Sequence, residues 1–223
     1  MRAFVVAAAL LAAAAPAGAQ QHQHGQHQHA GDSAHAHHHP AGVMPAGWQA
    51  RLDRPGAMDN VRFMSMQGHL HAILGPSAIF YDPSHTASGT YRLAGTFTQN
   101  RPAAHPEGHG LILGGRDLDG EGQDYLYFLV RQDGRFMVKH RAGSETHTLI
   151  DWTEHEAVRR TTAGERGVNA LAVDVGESSV RFLVNGTEVG MLQRVPMLNT
   201  DGVYGLRINH NLDVRVDGFG VEG

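Results

Sequence analysis

A chain of 223 residues is long enough for one sizeable β-sandwich, and with no cysteine it must hold any such core without disulfides. The formal net charge of −4 is small and no basic block occurs, which argues against nucleic acid as the natural partner. The 28 glycines fall mostly between apolar runs, as turn residues do in all-β chains.

The chain opens with Met1-Arg2-Ala3-Phe4 and an Ala/Val/Leu run to Ala15, followed by an Ala-x-Ala pattern ending at Ala19. A charged start, a short apolar core and a small-residue cleavage site predict a signal peptide over residues 1–19. The mature protein is expected to begin near Gln20 in a periplasmic or extracellular space. The apolar run is too short to span a bilayer comfortably, and nothing later is long and apolar enough to do so.

Residues 20–46 contain eight of the seventeen histidines: His22, His24, His27, His29, His35, His37, His38 and His39. Gln, Gly, Ser and Ala dominate the remainder, so this segment is expected to be disordered. Closely spaced neutral imidazoles chelate Zn²⁺, Cu²⁺ or Ni²⁺ in many geometries, with little selectivity. The alternative is a solvated linker whose metal affinity serves no purpose.

Residues 47–223 read as one domain of short strands. Segments 61–66 and 69–74 flank Gln67-Gly68, a tight hairpin signal. Further strands are expected at 78–81, 91–98, 110–113, 146–151 and 169–175. Segments 180–184 and 187–191 flank Asn185-Gly186, a type I′ turn that puts Val180, Phe182, Val184, Val189 and Met191 on one face. Segments 203–209 and 212–216, then Phe219 and Val221, close the chain. No segment shows a convincing amphipathic helix, so the predicted class is all-β, an antiparallel β-sandwich.

The most informative stretch is 124–141, DYLYFLVRQDGRFMVKHR, a hairpin turning at Gln132-Asp133-Gly134. A two-residue Asp-Gly loop would set Phe128 opposite Lys139. A three-residue loop with Gly134 in the left-handed conformation sets Val130 opposite Phe136, Phe128 opposite Val138 and Leu126 opposite His140. A slip of one residue exchanges the faces, and the cleaner separation favours the three-residue loop. Tyr125, Tyr127, Lys139 and Arg141 then share the other face.

The hairpin 61–72 with Gly68-x-Leu70-x-Ala72, the segment Tyr91-Arg92-Leu93-Ala94-Gly95-Thr96-Phe97 with Gly110-Leu111-Ile112-Leu113-Gly114, the pair NALAVDV (169–175) and VRFLVNGTEV (180–189), and the ending Gly205-Leu206-Arg207-Ile208-Asn209-His210 form a recognisable set. Over roughly 61–221 the chain resembles the concanavalin-A-like lectin/glucanase jelly rolls, most nearly the 3-keto-disaccharide hydrolase-type domains. That resemblance implies a jelly roll and specifies a substrate poorly, because lectins, hydrolases and non-catalytic modules share the architecture. Family-16-type glucanases carry Glu-x-Asp-x-x-Glu on one strand. This chain has no such run, no Gly-x-Ser-x-Gly elbow and no cysteine nucleophile, so retaining glycosidase and nucleophilic chemistry are disfavoured.

Three groups of residues are candidates for a site. Tyr125, Tyr127, Lys139 and Arg141, extended by Trp152 and the His155 ring, combine apolar rings with directional donors, which suits a sugar, above all an acidic or oxidised one. The plain alternative is a solvated sheet face with cross-strand pairs. Arg207 and Asn209 join this face if their strand borders the hairpin, and His210 falls at the following turn. No catalytic residue is assigned; His210 and Asp117 are the candidates, within an acid/base set that an enzyme would draw from Asp117, Asp119, Glu121 or His210, and His210 also suits a turn residue bonding nearby backbone. Asp117, Asp119 and Glu121 before Gly122 match the first half of a calcium loop, but Phe128 stands where the bidentate Glu belongs; an acidic turn explains them equally.

The expected function is non-catalytic glycan binding by an exported protein, with no cofactor required. One alternative is an enzyme resembling the 3-keto-glycoside hydrolases. Another is a periplasmic Zn/Cu/Ni-binding protein in which 22–39 act; Met44, Met58, Met64 and Met66 offer soft ligands for Cu(I), though strand methionines usually pack in cores.

Overall fold

The computed structural model describes residues 44–56 and 58–222. The expected signal peptide, its expected cleavage site and the eight histidines of 22–39 therefore lie outside the described residues. Fourteen strands follow one another: β1 (Gln49–Leu52), β2 (Val61–Met66), β3 (His69–Leu74), β4 (Ala78–Ala87), β5 (Tyr91–Gln99), β6 (Gly108–Arg116), β7 (Asp124–Arg131), β8 (Arg135–Ala142), β9 (Glu145–Glu154), β10 (Gly167–Val175), β11 (Ser179–Val184), β12 (Thr187–Gln193), β13 (Gly202–Ile208) and β14 (Asp213–Glu222). A single 3-10 turn, Met58–Asn60, precedes β2. Among the described residues no helix is long and apolar enough to cross a membrane.

The strands form two antiparallel seven-stranded sheets. The first has the order β1-β4-β13-β6-β7-β8-β9 and the second β12-β11-β10-β5-β14-β3-β2. Between them lies a core rich in aromatic rings, including Phe63, Phe80, Phe97, Phe128, Phe136 and Phe182 with Leu93, Leu111, Val173 and Val216. Phe63 of the second sheet and Phe80 of the first stack with centroids 4.3 Å apart, fixing the contact of the two layers near one end. The sandwich is all-β, as the spacing of strand and turn signals predicts.

The β7–β8 hairpin has the three-residue loop. Val130 pairs with Phe136, Phe128 with Val138 and Leu126 with His140. Gly134 has φ 82°, the left-handed value this loop requires. Gln67-Gly68 and Asn185-Gly186 also have positive φ at both positions, as type I′ turns demand.

Three readings of the strands need correction. β1 carries no clear alternating pattern and is not anticipated from sequence. Segments 212–216 and 219–221 belong to one strand, β14, with a register shift between Asp217 and Gly220. In β11–β12 the turn is right but the face assigned to Met191 is wrong. A bulge at Val189 sets Gly190 opposite Phe182 and turns Met191 to solvent opposite Arg181. The bulge brings the side-chain-free Gly190 against Ile150 and the core residue Phe136, where a Cβ would stand 2.8 Å from Ile150 Cδ1.

Candidate binding face

The outer face of the first sheet carries the sequence-predicted site. Because side chains alternate, one transverse row crosses all seven strands: Gln49, Tyr81, Gly205, Ile112, Tyr127, Lys139 and Thr148. The next row runs Arg51, Ile79, Arg207, Gly110, Leu129 and Met137. β13 reaches the β7–β8 hairpin through β6, so Arg207 does join the hairpin's polar face. Gly110 is required between Arg207 and Leu129, since a Cβ there would come within 2.1 Å of the Phe128 carbonyl oxygen.

Arg207 organises the middle of this face. Its guanidinium lies 5.1 Å from the Tyr127 ring centroid and donates to the Tyr125 hydroxyl at 3.5 Å. It also donates to both carboxylate oxygens of Asp53, at 2.9 and 2.5 Å. Burial alone would raise the Asp53 pKa, but the Arg207 hydrogen bond and the charges of Arg207, Arg141 and Arg51 outweigh it. The carboxyl is held below the ordinary Asp range. Arg207 is correspondingly pushed up, its burial being more than offset by Asp53. Burial raises the hydroxyl pKa of Tyr125 and Tyr127, so both rings are neutral at pH 7.

The tyrosines are not an open stacking platform. Tyr125 is 2% exposed and Tyr127 7%, and both belong to a second apolar cluster with Ile79, Tyr81, Ile112, Leu118, Leu129 and Met137. The expectation of two solvent-facing rings is therefore corrected: on a seven-stranded sheet the flanking rows of long side chains bury rings that a lone hairpin would expose. What remains reachable is Lys139, Arg141 and Trp152, all half-buried. Lys139 has no hydrogen-bond or ion-pair partner among the described residues. The Arg131 guanidinium lies 4.3 Å over the Trp152 ring, extending the cationic and aromatic surface toward β9.

Arg51 donates to the carbonyl oxygens of Leu118 and Gly120, tying the β6–β7 loop to the face. Gln123, with its carbonyl oxygen toward the arginines, accepts from Arg51 Nη2 at 3.2 Å and Arg141 Nη2 at 3.1 Å. Arg51, Asp53, Gln123 and Arg131 are thus functional neighbours that the sequence does not flag. Arg51 and Asp53 are brought in by β1 and the segment after it and Gln123 by the β6–β7 loop, none of which leaves a local pattern, whereas Arg131 ends β7 and reaches the face through Trp152 of β9.

Other candidates sit elsewhere. His155 caps a turn through Ala157 N–H to its Nδ1 at 3.1 Å and packs against core residue Phe136, so it does not extend the face. Asn209 follows the end of β13, where its N–H donates to Gly108 O, and its side-chain oxygen is buried without a partner among the described residues. His210 forms a 2.9 Å pair with Glu107. Asp117 lies at the other end of the sheet, because Gly115 pairs with Val203 whereas His109 pairs with Ile208. Asp117 and His210 therefore do not converge on one reacting centre. Asp117 has φ 46° and accepts from Gly122 N–H at 2.9 Å, which makes it the keystone of its loop. Among the described residues no three imidazoles or carboxylates gather to hold a metal ion, and Asp117, Asp119 and Glu121 are no exception.

No family model matches the chain, and no curated protein matches it in sequence. Solved structures do match in fold. A carbohydrate-binding module, CBM66 from Bacillus subtilis, superposes with TM-score 0.58 at 8% identity over 79% of this chain and 96% of its own. A Bacillus licheniformis β-glucanase gives 0.52 at 12% identity over 82% and 94%. A Bacillus subtilis protein with a galectin-like fold gives 0.51 at 11% identity over 78% and 88%. Together with two packed seven-stranded antiparallel sheets, these likenesses show that the chain has a concanavalin-A-like jelly-roll fold.

Proposed function

We propose that this is an exported, non-catalytic glycan-binding protein whose ligand lies on the outer face of the first sheet. The observation that carries the reading is the convergence of Lys139, Arg141, Arg207 and Trp152 on that single face, from β8, β13 and β9. Buried Tyr125 and Tyr127 hold Arg207 in place rather than stacking on sugar. Lys139, Arg141 and Trp152 meet the ligand, with ammonium and guanidinium donors for hydroxyls or a carboxylate and an indole for apolar C–H faces. The fold shared with a carbohydrate-binding module and a β-glucanase supports the reading, as does the separation of Asp117 from His210. Export follows from residues 1–19, and the histidines at 22–39 add a divalent-metal-binding leader.

A glycan array probed with the purified protein tests this, with neutral and uronic-acid-bearing glycans side by side. Binding to a defined glycan class, with no product detected by mass spectrometry, is the expected outcome. Silence across the array would sink the reading, and steady release of product would replace it with an enzyme.

A further inference from the structure

The second sheet ends in the β2–β3 hairpin, whose two cross-strand pairs on one face are chemically unusual. Met64 pairs with His71 and Met66 with His69. The alternate residues Phe63, Leu70 and Ala72 face the sandwich, Phe63 and Ala72 as buried core and Leu70 packed against it. The two thioethers and two imidazoles therefore share the outward face. Met66 is 47% exposed, and Met64, His69 and His71 are half-buried. Methionine on a strand normally fills a core, so two of them turned outward across from two histidines call for another explanation.

Cross-strand neighbours have Cβ atoms about 5 Å apart, and alternate residues along a strand about 7 Å apart. The four side chains thus stand at the corners of a small rectangle. An ion above its centre would lie within about 5 Å of every Cβ, the reach of a thioether sulfur or imidazole nitrogen plus one coordination bond of about 2 Å.

One corner already has the outer-shell partner of a metal ligand. His71 Nε2 lies 2.8 Å from Asp213 Oδ1, which also accepts from Asn100 Nδ2 at 2.7 Å. A carboxylate offers only lone pairs, so Nε2 carries the proton and Nδ1 is left with its lone pair for a metal. The neighbouring charges on β14 are mutually neutralised, because Arg215 donates to both oxygens of Asp217 at 2.6 to 3.1 Å.

We propose that Met64, Met66, His69 and His71 form a copper(I) site on the outward face of the β2–β3 hairpin. Two soft, uncharged thioethers with two imidazoles favour a soft monovalent ion over Zn²⁺ or Ca²⁺, which prefer harder or anionic ligands. The site lies on the sheet opposite the glycan face and does not depend on that reading. It is also distinct from the leader, since residues 20–40 contain neither Met nor Cys and bind copper through nitrogen and oxygen alone.

That difference supplies the test. The whole exported chain, labelled with ¹³C-methyl methionine, is titrated anaerobically with Cu(I) until the leader is saturated. The methyl resonances of Met64 and Met66, assigned with Met64→Leu and Met66→Leu, are expected to move together. Those of Met191, exposed opposite Arg181, and of Met197, exposed in the loop after β12, should stay. Copper X-ray absorption should show sulfur ligation that disappears in the Met64→Leu/Met66→Leu variant while its melting temperature is kept, and His71→Gln should weaken this site by at least about tenfold. Unmoved Met64 and Met66 resonances at saturation, or a copper spectrum without sulfur, would overturn the proposal. Equal movement of Met191 and Met197 would overturn it too, by reducing the effect to unspecific thioether binding.

Discussion

Arg207 and Asp53 meet through two parallel hydrogen bonds, Nη1 to Oδ1 at 2.9 Å and Nη2 to Oδ2 at 2.5 Å, joining β13 to the segment after β1. Removing the carboxylate leaves a buried guanidinium without its counter-charge. Asp53→Ala is expected to lower the unfolding free energy by about 1–3 kcal/mol, below the usual cost of breaking a fully buried pair because Asp53 is partly exposed. Urea denaturation of the variant checks this; an unchanged midpoint would show the pair to be solvent-screened. Since the Asp53 pKa is lowered by folding, its contribution is complete above the ordinary 3.8 and is lost as pH falls through the folded value.

His109 faces the core near Phe97, and among the described residues neither ring nitrogen has a hydrogen-bond partner. Burial depresses its pKa from 6.5 to about 4. The unfolded chain therefore binds a proton there that the folded chain refuses. Stability attributable to this group is greatest above pH 6.5 and declines by a few kcal/mol, in order of magnitude, as pH falls to about 4. His109→Leu should flatten the fall in melting temperature between pH 7 and pH 5. A slope identical to that of the parent would refute the assignment.

Gly110 leaves no room for a methyl group, because the Phe128 carbonyl oxygen would lie 2.1 Å from it. Gly110→Ala should destabilise the sandwich by about 3 kcal/mol or more, through displaced backbone in the middle of the first sheet. Circular-dichroism melts provide the measurement, and a shift of less than about 3 °C would contradict the packing described.

Lys139 and Trp152 separate binding from folding. Lys139→Ala removes a charge that holds nothing in place, so any glycan affinity should fall about tenfold, or ~1.4 kcal/mol, with the melting temperature unchanged. Trp152→Ala should cost affinity and, through the lost Arg131 contact, some stability as well. Calorimetric titration with the best glycan from an array reads both. Affinity unaffected by Lys139→Ala would move the ligand off this face.

Much of this was legible along the chain. Alternation in 124–141 picked the three-residue loop because a slip of one residue would have exchanged the Phe128 and Tyr127 faces. The Asn-Gly and Gln-Gly turns announced their hairpins through their need for positive φ. The bulge at Val189 left no signal, because the Asn-Gly turn fixes the pairing beside it and says nothing of an extra residue further along the strand. The same holds for the burial of Tyr125 and Tyr127, which depends on rows supplied by five other strands.

Sequence by itself determined the class of fold, the turns of the hairpins and the register and faces of β7–β8, since period-two alternation and turn stereochemistry are properties of neighbours along the chain. Only the tertiary structure decided that Arg207 is clasped by Asp53, that the tyrosines are buried supports, that Asp117 and His210 stand apart, and that a carboxylate orients His71. Those facts depend on which strands become neighbours in the sheets, a choice made by burying the whole core at once.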